Sequence, residues 1–306
     1  MVVIIPTFNC EDTIEKCLSA LAKQNYRGTY TVLVIDGGST DRTLEIAKKY
    51  TNSIFVNHGQ YSDGLGGAKD FGRRISDSNL LWFVDSDNYV LGDSVLSQLV
   101  EALISDDKIS ISLPFTAIDP HANYLNNWIS MREIYYLNKV IQNSEPSQSF
   151  YIVSDLSYGL TNCTLIKRES LDCVGGYDSD VRTLSRLRRH GLSRAAIVPN
   201  AAFYHNQVSQ ISIFIKKWVK RAKKFSSLSN SELKDYFVEF PFPPVQEKEL
   251  KAGILSNVLG SLYISIVNFC IYREKLWLIG VLYSFLILAI ALRHPLISYN
   301  LWRRFL

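Results

Sequence analysis

Cysteine is scarce in this chain: 306 residues hold five Cys, and no two of them form a CxxC pair. That excludes a disulfide scaffold. With no leader ahead of the first strand, it points to a reduced, intracellular setting. Low-complexity tracts and internal repeats are absent as well. Charge is modest, at 20% of residues against 47% hydrophobic, so disorder is excluded as the dominant state. The two signs nearly balance, 33 Lys+Arg to 29 Asp+Glu. The basic residues crowd the C-terminal third rather than one globular face, so no nucleic-acid partner is expected. The length supports one large core, or one domain with an appendage.

What the chain has in excess is apolar sequence, and most of it lies late. Residues 254–272 and 276–292 carry no charge, and Arg273, Glu274 and Lys275 separate them. As helices these runs are each about 25–29 Å long, close to the hydrocarbon thickness of a bilayer. The pattern predicts a two-helix membrane hairpin. Asn257, Ser261, Ser265 and Asn268 form a stripe that faces the second helix. A helix in the plane of the interface is the alternative for the first run. Basic residues flank the pair on both sides, which places both termini and the N-terminal domain on the cytoplasmic side. Residues 211–225 alternate apolar and basic faces, as a helix in the membrane interface does. The expected organisation is an α/β domain over 1–205, an amphipathic helix and linker over 206–253, two transmembrane helices over 254–292, and a basic tail over 293–306.

Within 1–205, apolar strands alternate with amphipathic helices, which predicts a doubly wound sheet. Ligands of such sheets bind at the carboxyl ends of the strands. That edge collects Thr7–Asn9, Asp36–Ser39 and Asp85–Asp87. In VDSD, Asp85 and Asp87 stand two apart after an apolar strand; if the segment stays extended, both carboxylates point one way. Two hard carboxylates suit Mg²⁺ or Mn²⁺ and, through the ion, phosphate oxygens. In VIDGGSTD, Asp36 ends a strand and can hydrogen-bond a base or ribose, or simply serve a turn. In SDGLGGAKDFGRR, a glycine-rich turn opens a helix with Lys69, Arg73 and Arg74, a setting able to cradle phosphate.

Taken together and in this order after PTFN, these segments resemble the inverting glycosyltransferases of family 2, with the GT-A fold. The resemblance covers residues 1 to about 205. It implies that Pro6, Thr7, Asn9, Asp36 and Gly38 hold the nucleotide of a UDP- or GDP-linked sugar. Asp85 would lie near ribose and sugar, and Asp87 would ligate Mg²⁺ or Mn²⁺ with Asp85 beside it. Lys69-Asp70 replaces the family's Arg-Asn, with Lys69 toward the phosphates. Ser179-Asp180-Val181-Arg182 aligns with the family's Glu-Asp-x-Asp segment. Asp180 is then the candidate catalytic base and Asp178 its rival. His205, after a short apolar strand, matches a position that completes the metal site or contacts the diphosphate.

A sugar hydroxyl needs such a base, whereas a lipid phosphate is already an anionic nucleophile. The expected acceptor is therefore lipid-linked or a glycan, with a polyprenyl phosphate as the alternative. The substitutions at Ser179 and Arg182 also admit an inactive sugar-nucleotide-binding protein. An oligomer is allowed. Trp128, Tyr135 and Tyr136 lie in the stretch where acceptors bind in the family, or else in its core.

Overall fold

The computed structural model describes residues 1–57, 64–156 and 163–206, with the isolated positions 266 and 281. The chain divides into two compact units, Met1–Ile118 with Glu133–Gln207, and Asp119–Arg132 with Val208–Leu306. In the described part of the second unit, side chains cap the local backbone. Asp119 Oδ1 accepts from the His121 amide at 2.8 Å, and Asn123 Oδ1 from that of Asn126 at 2.9 Å.

The first unit is built on β1 (Val2–Thr7), whose six residues are all buried. Such a continuous apolar run suits a central parallel strand covered on both faces. It lies between β2 (Thr31–Asp36) and β4 (Leu80–Val84), parallel to both, and β3 (Ile54–Val56) extends the sheet beyond β2. The crossovers are α1 (Ile14–Ala22), α2 (Thr43–Ala47) and α3 (Gly64–Arg74). α1 buries Ile14, Cys17, Leu18 and Leu21, the helical stripe its sequence spells.

Beyond β4 come β5 (Asn88–Leu91), α4 (Val95–Ile104), β6 (Ile111–Ala117), α5 (Tyr124–Gln142) and the short β7 (Glu145–Pro146) and β8 (Tyr151–Val153). The last elements are β9 (Cys163–Lys167), α6 (Arg168–Cys173), α7 (Asp180–Arg189) and β10 (Ala195–His205). The strand order is β3-β2-β1-β4-β9-β6-β10-β8-β7, with β5 paired to β10. β9 runs antiparallel between β4 and β6, so the sheet is mixed rather than parallel throughout. Trp82, Leu99 and Phe203 pack on one face, and Ile4, Phe83 and Leu187 on the other. Burying each of these side chains stabilises the fold by roughly 1.5–3 kcal/mol.

β10 is long because it bends. Its register against β6 shifts between Val198 and Ala202, around Pro199, which has no amide to donate. Past the irregularity it pairs antiparallel with β5, His205 opposite Asn88. That register brings the end of β10 to the VDSD segment.

Among the described residues, no helix is long and apolar enough to cross a membrane. α5 has the length, 19 residues, but carries Arg132, Glu133 and Lys139. This corrects the expected two-span membrane protein with its N-terminal domain on the cytoplasmic side. Apart from positions 266 and 281, the runs 254–272 and 276–292, the expected helix over 211–225 and the flanking basic segments lie outside the described residues. The described cysteines, Cys10, Cys17, Cys163 and Cys173, are free thiols.

Candidate active site

The loops after β1 and β2 are tied to each other. Asp36 is fully buried, and four donors reach its carboxylate. The amides of Gly38 and Ser39 donate to Oδ1 at 2.9 and 2.7 Å, while the hydroxyls of Thr7 and Ser39 donate to Oδ2 at 3.0 and 2.5 Å. Gly38 adopts φ +92°, open to glycine at no steric cost, which lets its amide turn back onto Asp36. Asn9 locks the two loops from the other side: its amide donates to Ser39 Oγ at 2.8 Å, and its Oδ1 accepts from the Thr40 amide at 2.8 Å. Pro6 lies in β1 opposite Ile35. Asp36 thus braces the loop pair from inside, with its acceptor sites filled by the protein.

VDSD is a turn, not an extended segment. The Asn88 amide donates to the Asp85 carbonyl at 2.9 Å, closing Asp85 to Asn88. The strand-alternation argument for two parallel carboxylates therefore does not hold. Asp85 and Asp87 each lead to a different partner.

Asp85 leads to Lys69. The ammonium lies 3.0 Å from Asp85 Oδ1 and 3.2 Å from Asp180 Oδ1, in a side chain only 2% exposed. Tyr177 completes the group: its hydroxyl donates to Asp180 Oδ1, and its ring lies 5.2 Å from the ammonium. Burial opposes the lysine charge, but Asp180 and then Asp85 raise its pKa well above the ordinary value. Burial pushes the Asp85 carboxyl up, Lys69 pulls it down, and Asp180 and Asp87 push it up again, to about 6. Lys69 therefore occupies a carboxylate network rather than reaching toward phosphates.

Of the glycines ahead of Lys69, Gly66 serves packing. A Cβ on Gly66 would lie 1.3 Å from the Asp178 carbonyl oxygen, so α3 can approach the 175–180 loop only with glycine there. Asp70 holds the same loop by accepting from the Tyr177 amide at 2.9 Å. Asp180 opens α7, and Ser179 caps that helix, its hydroxyl accepting from the Arg182 amide at 3.3 Å. Asp178 turns away and pairs with Arg182 at 3.4 Å. The structure brings Asp180, and not Asp178, to Asp85.

Asp87 leads to His205. His205 Nε2 lies 3.9 Å from Asp87 Oδ1, and Nδ1 lies 3.3 Å from Glu133 Oε1. Glu133 is anchored in turn, accepting from Thr116 Oγ1 at 3.0 Å. Burial pushes the imidazole down, but Glu133, Asp87 and Asp85 outweigh it and raise its pKa to about 9.

This pair fits a divalent cation. A carboxylate oxygen and an imidazole nitrogen 3.9 Å apart are donor atoms that such an ion can take, with a small approach of the carboxylate. Among the described residues, no group of three or more His, Cys, Asp or Glu side chains is disposed to hold a metal. An ion that takes one or two protein side chains and substrate phosphates needs no larger cluster.

Glu133, Tyr177 and Thr116 escape motif reading. One signal for Glu133 was available: it is the one acidic residue within Tyr124–Gln142. His190 ends α7 beside the Arg186 carbonyl, and His58 and His294 lie outside the described residues. So do the side chains of Trp128, Tyr135 and Tyr136.

The chain is 38% identical over 92 residues to the poly(ribitol-phosphate) beta-N-acetylglucosaminyltransferase TarS of Staphylococcus aureus, covering 29% of this chain and 16% of that protein. It is 30% identical over 98 residues to the UDP-Glc:alpha-D-GlcNAc-diphosphoundecaprenol beta-1,3-glucosyltransferase WfaP of Escherichia coli, covering 32% and 39%. The matched stretches thus span well under half of either relative. In fold it is similar to the mannosyltransferase PcManGT of Pyrobaculum calidifontis, solved in complex with GDP-Man and Mn²⁺. That match has a TM-score of 0.64 at 16% identity and covers 95% of this chain and 86% of that one. TarS 1-349 with UDP-GlcNAc gives a TM-score of 0.55 at 18% identity, over 92% and 78%. The family profile described as Glycosyl transferase family 2 matches residues 2–175, more than half of the chain, and the chain belongs to that family.

Proposed function

We propose that this chain transfers a sugar, with inversion, from a UDP- or GDP-linked donor to a hydroxyl group of a glycan or lipid-linked glycan. The observation that carries this reading is the turn at Asp85–Asn88, where the Asp87–His205 pair and the braced Asp180 meet at the carboxyl edge of the sheet. Asp87 and His205 would hold Mg²⁺ or Mn²⁺, which when bound supplies positive charge against the departing diphosphate. The tied loops carrying Thr7, Asn9 and Gly38 give a rigid seat for the nucleotide. Asp180 Oδ1 is pinned by Lys69 and Tyr177, which fixes the plane of the carboxylate. With the side chain 32% exposed, the acid can meet an acceptor. The acceptor oxygen attacks the anomeric carbon opposite the diphosphate and passes its proton to Asp180. The bond to the diphosphate breaks, and the configuration inverts.

A phosphate acceptor needs no base, so the bracing of Asp180 favours a hydroxyl. The loss of acids at 179 and 182 does not argue for an inactive protein, because Ser179 and Arg182 are used as a cap and an ion pair beside an intact Asp180. The test is to incubate the full chain with Mn²⁺, a panel of UDP- and GDP-sugars and a panel of glycan and lipid-linked glycan acceptors, measuring released nucleotide and labelled product. Turnover of at least one donor, lost in Asp87→Asn, is expected. No turnover and no binding of either nucleotide would overturn the proposal.

A further inference from the structure

We propose that Glu133 is a positioning residue that fixes the ring of His205, so that Nε2 faces Asp87. This rests on the metal-site reading above and assigns it a residue that touches neither metal nor substrate. A carboxylate only accepts hydrogen bonds. Glu133 Oε1, 3.3 Å from Nδ1, therefore selects the tautomer with its proton on Nδ1. When a cation takes the place of the second ring proton, Nε2 is then the nitrogen left with a lone pair, on the side of Asp87, 3.9 Å away.

The carboxylate is itself held. Thr116 Oγ1 donates to Oε2 at 3.0 Å, so β6 fixes one oxygen while the other serves the ring. The imidazole is 2% exposed, against 22% for Glu133, so water has little part in orienting the ring. Three elements thus converge: β6 through Thr116, α5 through Glu133 and β10 through His205. A carboxylate behind a ligating imidazole fixes its orientation and raises its basicity, and losing one weakens metal binding by about 10- to 100-fold.

The test uses the full chain and two readouts that do not depend on turnover. Mn²⁺ is titrated by electron paramagnetic resonance with UDP present, then with GDP. Ring ¹⁵N shifts of His205 report the tautomer. With diamagnetic Mg²⁺ and UDP bound, so that the ring has given up one proton, wild type should show it protonated at Nδ1 alone. Glu133→Ala should weaken Mn²⁺ by about 100-fold and mix the tautomers, while Glu133→Gln, which keeps an acceptor oxygen, should lose about tenfold and keep the tautomer. A purely structural role would lower thermal stability without this graded order. If wild type binds Mn²⁺ through Asp87 and His205 but both Glu133 variants bind as tightly, the role of Glu133 is refuted and the metal site stands. If wild type binds no Mn²⁺ with either nucleotide, the metal reading itself falls, and Glu133 with it.

Discussion

Asp85 and Asp87 are two residues apart on one turn, yet the protein answers them in opposite ways. Asp85 meets a buried ammonium shared with Asp180, whereas Asp87 meets an imidazole backed by Glu133. A lysine offers donors only, so the first arm is charge-compensated from within. An imidazole can present a lone pair, so the second arm can take up a cation from outside. One acid of the DxD pair is thus built into the scaffold, and the other is the one proposed to serve a ligand. The motif alone treats them as equals.

The largest effect is expected at Asp180, where the first arm reaches the surface. Asp180→Asn should lower kcat by about 10²–10⁴-fold with little change in KM for the donor, as loss of a general base does. Asp178→Asn, measured alongside, should change neither. Equal losses in both variants would mean that the loop, rather than one carboxylate, matters.

Lys69→Met comes next. It leaves Asp85 buried beside Asp180 with no cation, and breaking such a pair costs about 3–5 kcal/mol. Thermal unfolding should show the loss, and adding Asp85→Asn should recover most of it. An unchanged Tm in Lys69→Met would erase the contrast between the arms. His205→Ala should act differently. Asp87 and Glu133 are 26% and 22% exposed, so water reaches the acids left behind. The stability loss should stay near 1–2 kcal/mol, while the rate loses its dependence on Mn²⁺.

The contrast also marks what the sequence could reveal. The Asp36 brace was legible because most of its donors come from the next three residues, Gly37-Gly38-Ser39, in a turn that glycine permits. The strands and α1 were legible from apolar period. Asp180 was picked out as the candidate base through the family resemblance, but its contact with Lys69 was not legible, since it joins residues 111 apart. Lys69 looked like a phosphate contact because a cation after a glycine-rich turn is common at phosphate sites. Only the packing of Gly66 against Asp178 turns it inward. Glu133 was hidden for the same reason, 72 residues from the imidazole it serves. The mixed sheet was legible only through the GT-A resemblance, since the antiparallel β9 that makes it mixed depends on a pairing between distant segments.

The smallest expected effect sharpens the comparison from the surface side. Asp155 and Arg188 repeat the acid–cation pairing of the first arm, with donors at 2.9 and 2.8 Å, but at an exposed position. The Arg188 hydrogen bonds, with help from Ser193, hold the Asp155 carboxyl below its usual value. A depressed acid stabilises the fold above its unfolded-state pKa, and that contribution fades as pH falls through the folded-state value. Arg188 stays charged throughout. Arg188→Gln should therefore cost about 0.2–1 kcal/mol near neutral pH, a Tm shift under about 4 °C, and progressively less as pH drops below about 4. A cost that persists undiminished in acid would assign the effect to packing of the arginine stem. A cost as large as that of Lys69→Met would show that burial is not what separates the two pairs.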